Sequence, residues 1–277
     1  MAMTIAPNAI GGLSLRQRLV RPVVYLDHWA VRRFSDEEQL GSRFIAALHA
    51  AQGTWLFSQV NLSEFCAMQD VATAHRVESL IEKAFPNFYV IDAVDDTPYF
   101  REEQPRLPRP AEAPDKHWML EDLARRALIT GKLNSHRFIS DAIDHRDILL
   151  PIFEQMKRDI VTAVTVIREH VLASNDRKKL MPRSGMRLID IFKEELLIEP
   201  FGDPKQPFTG NDAVDFVHAL PACQLCDFVL LDSAWCNRIK VTTRRIRSAG
   251  IKGRLADCYS PRMLSEFFSA LDSVKQP

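Results

Sequence analysis

The sequence predicts an α/β protein: a central parallel sheet flanked by helices, interrupted by a mainly helical insertion. Three observations predict it. Short apolar runs of the kind buried on both faces, residues 23–26, 54–60 and 228–231, alternate with helical patterns near both ends of the chain. Such alternation is the pattern of a parallel sheet with crossover helices. Five prolines then crowd residues 98–114, and beyond them the pattern changes to long helical periods. The resulting organisation is one discontinuous α/β domain, residues 21–92 and 208–277, with an insertion at 93–207.

Taken in order, residues 1–20 carry no strong period and read as a loose arm. Pro22-Val-Val-Tyr-Leu-Asp27 reads as a buried strand ending in an acid. A helix follows from Trp29. Ser35 and Glu38 have the spacing of a second helix start, N-cap and capping box, ahead of the apolar face Phe44, Ile45, Leu48 and Ala51. After strand 54–60, Asn61 to Phe65 opens a helix whose inward residues are Phe65, Met68, Ala72, Val77 and Ile81. Residues 88–91 make a third strand. In the insertion, Asp115 caps a helix with Trp118, Leu123, Ala127 and Leu128 inward, ended by Gly131. Phe153, Met156, Ile160, Val164, Ile167 and Val171 recur at steps of three and four, an amphipathic helix. Residues 175–185 read as a basic turn, 188–197 as a short helix, and 200–207 as a break. A helix or loop runs from Asp232 to Gly250, residues 254–259 make a last strand, and Pro261 begins a closing helix.

Composition narrows the function. The 277 residues can bury a sizeable core, and 36 basic against 36 acidic residues argue against a protein that coats nucleic acid by bulk charge. No apolar run reaches the roughly 20 residues of a membrane span, so no membrane partner is expected. The start of the chain lacks the look of a secretory signal, and five cysteines are too few and odd in number for a disulfide framework. The expectation is a cytoplasmic protein. One local basic surface stands out. Arg238, Lys240, Arg244, Arg245, Arg247, Lys252 and Arg254 follow one another with no acid among them.

The chemistry lies in acids at element ends. Asp27 and Asp232 follow apolar strands, while Glu64, Asp212 and Asp215 stand at helix starts. Mg²⁺ and Mn²⁺ are hard ions that favour carboxylate oxygen, and phosphoryl-transfer enzymes use them with several carboxylates converging on one spot. Each acid also has an ordinary reading. Asp212 suits an N-cap with Asp215 as an N3 acid, Asn61 with Glu64 suits a capping box, and strand-end acids can simply be solvated. His218, one turn beyond Asp215, either supports the site or is packed and hydrogen-bonded, the commoner role. His28 could point either way. Cys223-x-x-Cys226, with Cys236 and His218 nearby, lacks the second pair that a zinc site wants. No Walker loop, GxGxxG or nucleophile elbow is present.

The set resembles the PIN-domain superfamily of metal-dependent nucleases. The matching residues are Asp27 in VVYLD, Glu64 in SQVNLSEF, Asp212 and Asp215 in NDAVDFVHA, and Asp232 in CDFVLLD. The resemblance covers about 22–92 and 208–260. It implies a PIN-like three-layer fold and hydrolysis of phosphodiester bonds, in RNA ahead of DNA. It further implies Asp27, Glu64, Asp215 and Asp232 as catalytic, and these with Asp212 as ligands of Mg²⁺ or Mn²⁺. Asp215 is the better candidate to face the metal, with Asp212 as outer ligand or cap. The basic run is then placed to meet the phosphate backbone. Here the second and third acids are more than 100 residues apart, where PIN domains are compact. A PIN-like module without catalysis, binding a protein partner or a second copy through the insertion, is the alternative. A haloacid-dehalogenase-like phosphatase would want Asp-x-Asp where Asp27-His28-Trp29 stands.

Overall fold

The computed structural model describes residues 1–7, 13–68, 70–91, 118–173, 186–201 and 208–274. The proline-rich stretch 98–114, the cap at Asp115, the turn 175–185 and most of the break 200–207 lie outside the described residues.

The expected parallel sheet is present. Its five strands are β3 (Val23–Leu26), β4 (Thr54–Ser58), β5 (Phe88–Ile91), β6 (Phe228–Leu230) and β7 (Asp257–Tyr259), in the spatial order β5-β4-β3-β6-β7. All pairings are parallel, with Leu26 opposite Leu230. The chain builds outward from β3 to β4 and β5, then returns to the other side of β3 for β6 and β7. The order therefore reverses between β3 and β6, and the crevice at the carboxyl ends of those strands is where open α/β sheets bind ligands.

Alternate strand residues feed two cores, which makes three layers. Val24, Leu26, Trp55, Phe57, Phe88 and Leu230 face one core. It is closed by helices α1 (His28–Asp36), α2 (Glu38–Ala50), α3 (Gln59–Ala67), α4 (Val71–Ala84) and α11 (Leu264–Asp272). Helices α5 (Trp118–Thr130) and α6 (Ser140–Asp144) pack into the same core. Val23, Tyr25, Leu56, Val229 and Cys258 face the other, closed by α8 (Leu188–Phe201), α9 (Gly210–Leu225) and α10 (Ser233–Ser248). The long α7 (Arg146–Ala173) reaches both: Phe153 enters the first core and Val164 the second.

Several expectations are corrected. The described parts of residues 1–20 are not loose: β1 (Met3–Pro7) and β2 (Leu13–Gln17) pair antiparallel. The Gln17 amide donates to the Val90 carbonyl at 2.9 Å and accepts the Val90 N–H at 3.1 Å. One side chain thus satisfies the free edge of β5, which blunts a sheet edge. Ser35 lies inside α1 and donates back to the Arg32 carbonyl, and α2 starts at Glu38 without a side-chain cap. Strand β4 stops at Ser58, two residues short of the expected 60, because Ser58 caps α3. Ala72 is exposed, since the chain breaks between α3 and α4 and rotates the face. Leu128 is 55% exposed beside Ile129 at the end of α5. Gly131 does end α5, at φ 71° with its N–H on the Ala127 carbonyl.

Candidate functional site

The site is assembled at the β3/β6 crevice. Asp27 follows β3 directly, its N–H held by the Leu230 carbonyl at 3.0 Å. Its side chain caps α1, accepting the His28 N–H at 2.6 Å. Asp232 repeats the device on the neighbouring strand: it caps α10 and accepts the Trp235 N–H at 2.7 Å. Both acids stand at a helix N-terminus, where the macrodipole favours negative charge.

Glu64 projects from α3. The expected Asn61–Glu64 capping box is absent because the cap sits earlier. Ser58 is the N-cap and Asn61 takes the N3 position, each bonding the other's backbone N–H. Asn61 also donates to the Leu26 carbonyl at 3.1 Å, tying the end of β3 to α3. Glu64 is left free to face the crevice. The same shift occurs in α9. Thr209 is the N-cap and Asp212 the N3 partner, so Asp212 has its carboxylate engaged by Thr209 and lies 3.7 Å from Arg238. Asp215, one turn on, is hydrogen-bonded by the Trp235 side chain and feels the charges of Asp232 and Glu64.

His218 is the centre of the arrangement. It is 1% exposed, and its Nε2 donates to Glu64 Oε2 at 2.9 Å with Asp27 Oδ1 at 3.9 Å. Its Nδ1 meets the Tyr25 hydroxyl, which is 3.0 Å from Ser58 Oγ. A buried hydrogen-bonded chain therefore runs from the α3 cap through Ser58, Tyr25 and His218 to Glu64. Among the described residues, Asp27, Glu64 and His218 are the group whose ligand atoms, within 4.8 Å of one another, could share a metal ion. Asp212, Asp215 and Asp232 stand outside that group.

The electrostatics follow from crowding. Burial pushes the Asp27 carboxyl up to about 7; His218 opposes the rise, and Glu64 and Asp215 add to it. Burial and then the Asp232 charge push Asp215 up to about 6. Burial alone would lower His218, but Glu64, Asp27 and Asp215 outweigh it and raise the imidazole. Burial would raise Glu64, and the His218 charge and hydrogen bond overcome it and hold the carboxyl low.

A cleft of about 410 Å³ adjoins this cluster and is lined by Glu64 and Asp215, with Asp27, His218 and Asp232 lying outside its lining. Its lining combines His28, Glu64, Asn211 and Asp215 of the helices α1, α3 and α9 with Phe153, Glu154 and Lys157 of α7. Lys157 pairs with Glu154 at 2.5 Å, and its charge also favours the ionised form of Glu64. The helical segment thus contributes a cation to the acidic cleft, which no spacing in the sequence indicated.

The cysteines form no comparable site. All five are buried and unbridged, and burial drives the Cys223 and Cys226 thiols upward. Among the described residues no helix is long and apolar enough to cross a membrane. Comparison with protein-family models, curated proteins and solved structures finds no match for this chain.

Proposed function

We propose that this chain is a PIN-like nuclease that hydrolyses phosphodiester bonds, in RNA ahead of DNA, with Mg²⁺ or Mn²⁺ held by its acids. The observation that carries the reading is the meeting of Asp27 and Glu64 at the β3/β6 crevice, with Asp215 near enough to feel both and Asp232 next to Asp215, and no arginine or lysine within ion-pair distance of any of them among the described residues. Carboxylates this crowded destabilise one another, and a divalent cation removes the conflict. The donor set fits a hard ion, because carboxylate oxygens predominate, while His218 has both ring nitrogens engaged by Glu64 and Tyr25.

Asp27 and Glu64 are the nearest ligands in this reading, with Asp215 and Asp232 completing the acidic wall. Asp212 serves its cap first. The bound ion would supply charge neutralisation of the phosphate and a more acidic water. The chain's own residues do the positioning. His218 fixes the Glu64 carboxylate, Tyr25 and Ser58 fix the imidazole, and Trp235 fixes Asp215. The α7 wall narrows the cleft, and Lys157, near Glu64 and paired with Glu154, is the residue that would meet the substrate phosphate.

Asp27→Asn and Asp232→Asn are each expected to reduce Mn²⁺-dependent cleavage of an RNA oligonucleotide at least about 100-fold, with unchanged circular dichroism. Full activity in either variant sinks the reading. A second reading, a PIN-like module without catalysis, is favoured by one observation: His218, whose imidazole is raised by the acids around it, lies 2.9 Å from Glu64 and 3.9 Å from Asp27, where its charged form would compensate them. Calorimetric titration separates the two, since the module would take up no Mn²⁺ at neutral pH.

A further inference from the structure

Six of the seven residues of the basic run, all but Lys252, divide into two sets with different work. Arg238 pairs with Asp212 at 3.7 Å, Arg245 pairs with the buried Glu195 at 3.0 Å, and Arg254 beyond the helix pairs with Asp227. These three arginines hold α10 and the segment after it to α9, α8 and the sheet. Lys240, Arg244 and Arg247 behave otherwise. They recur at i, i+4 and i+7, so they share one side of the helix. None has a carboxylate within ion-pair distance among the described residues. Lys240 Nζ donates to the Met263 sulfur at 3.0 Å and is hydrogen-bonded to the Cys236 side chain, two sulfur partners that leave it without a carboxylate. Arg244 and Arg247 are exposed.

The three cations line one groove of about 740 Å³, between α10 and the edge strand β7. Asp257 is the carboxylate in its lining, and Glu266 acts on Lys240 from beyond the groove. Positive charge is therefore in excess, in a concave site at an open sheet edge. Its position relative to the acids is set by the helix that bears it. Asp232 caps α10, so at about 1.5 Å per residue Lys240 and Arg247 lie about 12 and 22 Å further along its axis.

Resting on the nuclease reading, we propose that this groove is a second nucleic-acid site, which binds the phosphodiester backbone of substrate extending away from the acidic cleft. Three cations facing one backbone predict a specific salt dependence. Each phosphate contact on a single strand adds about 0.7 to the slope of log K against log salt.

The test is fluorescence anisotropy of a labelled single-stranded oligoribonucleotide with the full chain in EDTA, where no cleavage competes. The triple variant K240Q/R244Q/R247Q is expected to flatten the slope by about 2 and weaken binding at low salt. The variant R244K/R247K keeps the charge and is expected to keep the slope. Arg125→Gln removes an exposed cation on α5, which packs at the opposite edge by β5, and should leave the slope as it is. An unchanged slope in the triple variant overturns the groove. So does binding of an acidic peptide with no binding of RNA, which would make the ligand a protein. The nuclease reading stands or falls separately: a flattened slope without Mn²⁺-dependent cleavage by the wild type keeps the groove and removes the enzyme.

Discussion

The two ends of the parallel sheet handle buried carboxylates in opposite ways. At the amino ends of β3 and β6, Asp227 is 3% exposed in its side chain and fully compensated. It accepts from Arg21 at 2.6 Å and from the Val23 N–H at 2.7 Å, and Arg254 closes on the same oxygen as Arg21. At the carboxyl ends of the same strands, Asp27 is nearly as buried but has no arginine within ion-pair distance among the described residues. Its neighbours are Glu64, Asp215 and one histidine. A compensated acid holds strands together. An uncompensated cluster costs stability, and such strain persists where function needs it.

Breaking the compensated end should give the larger stability effect. Asp227→Ala strands the Val23 N–H and frees two arginines, although both are about half exposed and partly rescued by water. A loss of about 3 kcal/mol is expected, seen as a lower midpoint in urea. A loss under about 1 kcal/mol would mean that the two ends do not differ as described.

The opposite sign is expected at the other end. Asp27→Asn should stabilise the metal-free chain at pH 8 by about 2 kcal/mol while removing activity. The pH dependence carries the same information. Asp27 and Asp215 are raised to about 7 and about 6 in the fold, so the native state binds more protons than the unfolded chain above pH 4. Their stabilising contribution is complete below the unfolded value and is lost as pH rises through about 6 to 7. The raised His218 adds to the same decline. In EDTA the melting temperature should therefore fall from pH 5 to pH 8. Mn²⁺ should restore it at pH 8 and do less at pH 5, where Asp27 and Asp215 hold their protons. A flat profile in EDTA would show that the acids do not repel as placed.

The smallest effect concerns the one cation in the acidic cleft. Lys157→Ala should raise KM for RNA up to about tenfold with kcat within about twofold, as expected for a group that binds ground state and transition state alike. A fall confined to kcat would instead give Lys157 a part in the chemistry.

Local signals were readable where one short stretch contains its own reason. Asp27 and Asp232 each end an apolar run, and the strand and the helix start are adjacent in sequence. Glu64 was readable as an acid on α3, but its cap was displaced by one turn because Ser58 closes the strand and opens the helix together. His218 was visible on the helix of Asp215, yet its role depends on Tyr25, 193 residues away. Lys157 depends on where α7 lands, and no periodicity reports that. Asp227 drew no notice because its partners, Arg21 and Arg254, lie at opposite ends of the chain. Pairings this distant in sequence leave no local trace.

The central pairing of β3 with β6 also sets a schedule. Val23 and Asp227, bonded across that pair, are 204 residues apart. During synthesis at roughly 5 to 20 residues per second, β6 emerges about 10 to 40 s after β3. Until then Asp27 and Glu64 have neither His218 nor Asp232 beside them. On the reading proposed above, the acidic site stays incomplete beside the ribosome and its messenger until Asp232 has been made.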